Sequence, residues 1–133
     1  MTRQAYGIGY SGRTMDELER IVQALDAVLV DIRFAPYSRN PAFRKASLQA
    51  ALGSRYVHLG VFGNRNYQGG PVDIVDYEAG RAALEALERP ALLMCMCRDP
   101  AACHRFVIME RLRAEGFSVG EWDEPGVYQP RLL

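Results

Sequence analysis

The chain has 133 residues, 49% hydrophobic and 24% charged, and its sixteen basic side chains balance sixteen acidic ones. That is enough chain for one globular domain with its own core, and the balance excludes an overall field drawing it to nucleic acid or a membrane surface. No apolar run approaches the length of a membrane span, and the opening "MTRQAYGIGYSG" lacks the apolar stretch of a secretory leader, so a cytoplasmic protein with reduced thiols is expected.

Short apolar runs alternate with amphipathic segments, the pattern of repeated β-α units. The first strand is expected over Tyr6–Tyr10. Thr14 and Glu17 then make a capping box, and Leu18, Ile21, Val22 and Leu25 form one apolar helical face. A second strand is expected over Ala27–Arg33, where "AVLVDI" scarcely alternates, as in a strand buried on both faces. A second helix starts at Asn40-Pro41 and runs to about Leu52, followed by a strand over Arg55–Leu59. The glycine- and asparagine-rich segment Gly60–Val75 reads as a long loop of functional type. A third helix carries Tyr77, Leu84 and Leu87 on one side, and the strand Ala91–Cys97 follows. The fourth helix is expected to open with Asp99 as N-cap and Pro100 at its first position, and to close at Gly116. Its inward stripe is Ala102, Phe106, Met109 and Leu112, with Arg105 inside it. A last strand is expected over Phe117–Trp122, and residues 123–133 form a tail without periodicity. The fold predicted is a single-domain three-layer α/β sandwich over residues 1–122. About five mostly parallel strands carry helices on both faces, in a Rossmann-like or flavodoxin-like arrangement.

In such sheets ligands sit beyond the carboxyl ends of the strands. Four strands here deliver polar or thiol groups to that edge. The first is followed by Ser11. The second ends in Asp31 and Arg33 and continues through Ser38 and Arg39. The third carries His58, and the fourth leads through Cys95 and Cys97 to Cys103, His104 and Arg105. Asp31 in so apolar a strand needs a partner, because desolvating an unpaired carboxylate costs several kcal/mol, roughly. An Asp31–arginine pair and a ligand role are both open. An inward Arg105 must reach the same edge and meet either Asp31 or a bound anion.

All three cysteines lie within "MCMCRDPAACHR". Cys95, Cys97, Cys103 and His104 are four potential zinc ligands, but Cys103 and His104 diverge by about 100° on a helix, a poor start for a tetrahedral site. Counting back from Arg105, the position where a phosphatase loop needs its cysteine is Asp99. A reactive thiol at Cys103 fits better, because a helix N-terminus and neighbouring positive charge lower a thiol pKa. Cys95 and Cys97 read as buried strand residues.

The blocks Gly9-Tyr10-Ser11, Asp31-x-Arg33-x-x-Pro36-x-Ser38-Arg39, Tyr56-x-His58-Leu59 and Cys95-x-x-x-Asp99-Pro100-x-x-Cys103-His104-Arg105 are ordered as in a bacterial and archaeal family. The chain resembles that family, the domain of unknown function 488, from about Tyr6 to Trp122. The resemblance implies that these positions form a shared pocket, and it carries no activity with it. The family commonly has a glutamate where this chain has Cys97.

These readings lead to an enzyme, a hydrolase or group transferase, acting on a phosphate-bearing, nucleotide-like or nucleic-acid substrate. Arg33, Arg39 and Arg105 hold the anion and Ser11 and Ser38 contact the substrate; His58 or His104 moves protons, Cys103 is the nucleophile, and Asp31 orients an arginine or acts as base. A small ligand fits the zero net charge better than nucleic acid, and no cofactor or metal is expected. The rivals are a non-catalytic anion- or nucleotide-binding module and a zinc-stabilised structural protein.

Overall fold

The computed structural model describes residues 3–99 and 103–122. Five strands, β1 (Gln4–Gly9), β2 (Val28–Asp31), β3 (Tyr56–His58), β4 (Ala91–Cys95) and β5 (Ser118–Glu121), form one sheet in the order β3-β2-β4-β1-β5. Every pairing is parallel. Four α-helices cross between them: α1 (Met15–Leu25), α2 (Lys45–Leu52), α3 (Tyr77–Glu85) and α4 (His104–Ala114).

Strand alternation divides the core in two. Leu29, Leu92, Met94 and Ile8 pack with Leu18, Ile21 and Val22 of α1 and Leu48 of α2. Val28, Val30, Leu93 and Cys95 pack on the other face with Leu84 of α3 and Ile108, Met109 and Leu112 of α4. The result is a three-layer α/β sandwich. β4 is buried along its whole length, which is why "ALLMC" lacks alternation. The crossovers through α1 and α2 step toward β3 on one face, and those through α3 and α4 step back toward β5 on the other. All four therefore share one hand. With β4 between them, β1 and β2 are not neighbours, unlike in the doubly wound Rossmann and flavodoxin orders.

The capping box of α1 forms as the sequence predicts: Glu17 N donates to Thr14 Oγ1, and Thr14 N donates to Glu17 Oε1 at 3.2 Å. The expected second helix is divided. Pro41–Phe43 is a short 3-10 turn capped by Asn40, and α2 begins only after Arg44, whose backbone is extended. The Arg44 side chain donates to Ser38 O at 3.0 Å and lies over the Tyr37 ring.

The largest departure is at α4. Its N-cap is Cys103, not Asp99, and the helix starts at His104; Pro100 and Ala102 lie outside the described residues, as does the 123–133 tail. With that start the buried face is Arg105, Ile108, Met109 and Leu112, while Phe106 is 48% exposed. The helix closes as expected at Gly116, whose φ of 100° suits glycine, with Phe117 N donating to Leu112 O. The Gly60–Val75 segment is a compact loop. An antiparallel bridge joins Asn64 to Ile74, and Asn64 Oδ1 accepts from the amides of Asn66 and Asp73.

Candidate functional site

At the carboxyl ends of β1, β2 and β4 the chain leaves the sheet toward opposite faces, which opens a crevice. A cleft of about 430 Å³ lies there. Tyr10 after β1, Arg33, Phe34, Ala35 and Tyr37 after β2, and Asn64, Tyr67 and Gln68 of the loop after β3 supply three of its walls. Cys95, Met96, Cys97, Cys103 and His104 supply the fourth.

Beneath one wall, Asp31 is fully buried. Arg33 forks onto it, Nε to Oδ1 at 2.8 Å and NH2 to Oδ2 at 2.7 Å, and the Tyr56 hydroxyl donates to Oδ2 at 2.6 Å. The Asp31 charge is thus matched and hydrogen-bonded, which is how a buried carboxylate escapes its desolvation cost. Burial first, and then the bond to Asp31, push the Tyr56 phenol above the usual tyrosine range. Arg33 keeps one edge at the cleft, with NH1 3.4 Å from Tyr37 O and the guanidinium over the Tyr10 ring. His58 Nε2 donates to Arg33 O at 2.8 Å and so holds the turn that carries this arginine.

Arg105 is completely buried and does not meet Asp31. Its partner is Glu121 of β5, with Nε donating to Oε2 and NH2 to Oε1, each at 2.9 Å. NH1 donates to Cys97 O at 2.8 Å and to Ile8 O at 3.2 Å, and stands 2.7 Å from Cys95 Sγ. One guanidinium therefore joins α4, β1, β5 and the end of β4. Two glycines make room for it: a Cβ on Gly7 would strike the Glu121 carboxylate, and one on Gly9 would strike the Cys97 carbonyl.

The cysteines gather around the start of α4. Cys103 Sγ accepts from Arg105 N at 3.5 Å, lies 3.5 Å from His104 Nδ1, and packs against the core cluster that contains Cys95. The neighbouring Cys95 thiol is the largest of the influences lowering the Cys103 pKa; burial opposes it, the His104 and Arg105 contacts assist, and the thiol is lowered to about 4. Cys103, with burial, pushes Cys95 up in turn, and burial, followed by Cys103, pushes Cys97 up. Cys103 is thus the most acidic of the three thiols. Because His104 Nε2 donates to Ile32 O at 2.7 Å, Nδ1 is the ring atom left to exchange a proton with Cys103. Among the described residues no three His, Cys, Asp or Glu side chains are arranged to hold a metal ion.

Residues 17–73 match the family model described as Domain of unknown function DUF488. The DUF488 match takes in Asp31, Arg33, Ser38, Arg39, Tyr56 and His58, and stops before the cysteines. No curated protein and no solved structure matches the chain.

Of the residues singled out in the sequence, Arg33, Cys103 and His104 line the cleft, while Asp31 and Arg105 lie beneath its walls. Ser11, Ser38, Arg39 and His58 stand outside the lining. The Ser11 carbonyl accepts from Arg98, and Ser38 Oγ accepts from Asn40 N. Sequence reasoning missed Glu121, Tyr56 as partner of Asp31, and the aromatic walls Phe34, Tyr37 and Tyr67. A carboxylate ending the short strand "SVGE" was the available signal for Glu121. The aromatic walls had only their exposure to mark them, and exposure is not written in a sequence.

Proposed function

We propose that this protein is a hydrolase or group transferase that uses the Cys103 thiolate as nucleophile on a small nucleotide-like substrate. The observation that carries the reading is the placement of Cys103: an N-cap sulfur in the cleft wall, kept anionic by its neighbours, with His104 Nδ1 at 3.5 Å to return a proton to the leaving group. Phe34, Tyr37 and Tyr67 offer exposed ring faces on which a base stacks. Arg33 presents its NH1 edge to the phosphate-bearing end. Reducing conditions, such as the cytoplasm provides, keep this thiol competent.

The test is turnover against a panel of nucleosides, nucleotides and their phosphoesters, with the native chain and with Cys103→Ser and His104→Gln. Turnover abolished in the first variant and slowed in the second supports the reading. Ligand-dependent melting without turnover of any panel member would make the protein a nucleotide-binding module instead.

A further inference from the structure

We propose that Cys103 and Cys95 together form an oxidation site: a hydroperoxide entering the cleft oxidises Cys103 to a sulfenic acid, and Cys95 then closes a Cys95–Cys103 disulfide. The inference rests on the same Cys103 nucleophile as the proposed function, and concerns a different electrophile and a second cysteine.

Three observations carry it. Cys103 faces the cleft, so a small peroxide reaches its sulfur from solvent. Cys95 is buried in the core cluster against which Cys103 packs, and both line the same cleft, so no thiol from another molecule has to diffuse in. The Arg105 guanidinium, fixed by Glu121, stands 2.7 Å from Cys95 Sγ, while the Arg105 amide points at Cys103 Sγ. One residue thus touches both sulfurs.

The chemistry proceeds in two steps. The Cys103 thiolate attacks one peroxide oxygen, the O–O bond breaks, and the alkoxide or hydroxide leaves with the proton that His104 Nδ1 holds. Cys103 loses two electrons and the peroxide gains them. The change in charge then prepares the second step. In the reduced protein the neighbouring Cys103 thiolate is the largest influence holding the proton on Cys95. Sulfenic acid formation removes that negative charge, leaving burial still favouring the thiol and Arg105 favouring the thiolate. The Cys95 sulfur attacks Cys103, the S–O bond breaks, and hydroxide departs as water with the proton from Cys95. One hydroperoxide and two thiols yield one alcohol or water, one further water and one disulfide. A dithiol reductant reverses it.

Reduced native protein treated with one equivalent of hydrogen peroxide is expected to lose two thiols per chain. Peptide mapping should show a Cys95–Cys103 link that dithiothreitol releases, with Cys97 still open to alkylation. Cys95→Ser should halt at the first step and leave a Cys103 sulfenic acid that dimedone traps. A dimedone adduct accumulating in the native chain, a link to Cys97, or no thiol loss would overturn the site. Brief iodoacetamide labelling of the reduced protein separates this result from the proposed function. Rapid Cys103 labelling without a Cys95 link removes the oxidation site alone, whereas Cys103 inert to both reagents removes both.

Discussion

His104 is anchored to the Ile32 carbonyl through Nε2 at 2.7 Å, a contact that joins the first residue of α4 to the end of β2, 72 positions upstream. The anchor decides the tautomer. With one ring nitrogen committed to a carbonyl, the other faces Cys103 Sγ at 3.5 Å. The geometry is that of a cysteine–histidine pair, in which an imidazole nitrogen stands within reach of the sulfur.

The sign of the resulting pH dependence follows directly. A thiol lowered to about 4 is charged above that value, so Cys103 alkylation should stay nearly flat as the solution is acidified from neutrality. An ordinary thiol, with pKa near ~8.5, should slow by about tenfold per pH unit over the same range. Mass mapping after brief iodoacetamide treatment at several pH values measures this. His104→Gln should move the Cys103 profile upward in pH and leave Cys95 and Cys97 slow.

Arg105→Met should destabilise the fold by about 3–5 kcal/mol in chemical denaturation, the range for breaking a buried ion pair. The loss includes the donors to Ile8 O and Cys97 O as well as the Glu121 fork. Arg105→Lys should recover only part, because an ammonium cannot serve two carboxylate oxygens and two carbonyls from one plane. Glu121→Gln should cost less than Arg105→Met, since the Glu121 side chain is 31% exposed and water replaces part of what it loses.

Asp31→Asn should cost a similar ~3–5 kcal/mol, because it leaves the Arg33 guanidinium buried without its counter-charge. Tyr56→Phe removes one hydrogen bond to a charged acceptor and should cost about 1.5–3 kcal/mol. Tyr56 also contributes to alkaline stability with a definite sign. Its folded pKa is raised, so its contribution is complete below the ordinary tyrosine value near ~10 and is lost as pH rises through the folded value. In a spectrophotometric titration the native chain should show two phenols, Tyr56 and Tyr77, that ionise above the usual tyrosine range, and Tyr56→Phe should remove one of them.

Tyr67→Ala and Phe34→Ala should leave the melting temperature close to that of the parent, since both side chains are about half exposed and stack on each other at the cleft mouth. Each should weaken nucleotide binding by roughly 1–3 kcal/mol if a base stacks there. Calorimetric titration of the two variants with the best ligand from the panel checks this. Unchanged affinity in both would move the ligand away from these rings.

The local features were legible in the amino-acid order because they depend on neighbours. Thr14 and Glu17 cap α1 through bonds spanning three residues. The unalternating strands announced a sheet covered on both faces, and Asp31 in such a strand announced its need for a partner. Convergence at the carboxyl edge followed from parallel β-α units, whichever strands were adjacent.

What only the tertiary structure decided is which of those edge groups touch. Strand order places β5 beside β1, and the register setting Gly7 against Glu121 brings that carboxylate to Arg105 instead of Asp31. The same order places β4 between β2 and β1, so the thiols of β4 and α4 face the aromatic residues that follow β2. The later start of α4 also rests on tertiary contacts: His104 is tied to Ile32 O and Arg105 to Glu121, and those bonds set which residue becomes the N-cap. Periodicity and capping preferences act over a few residues, whereas these contacts join positions separated by 16 and 72 residues. No local pattern encodes them.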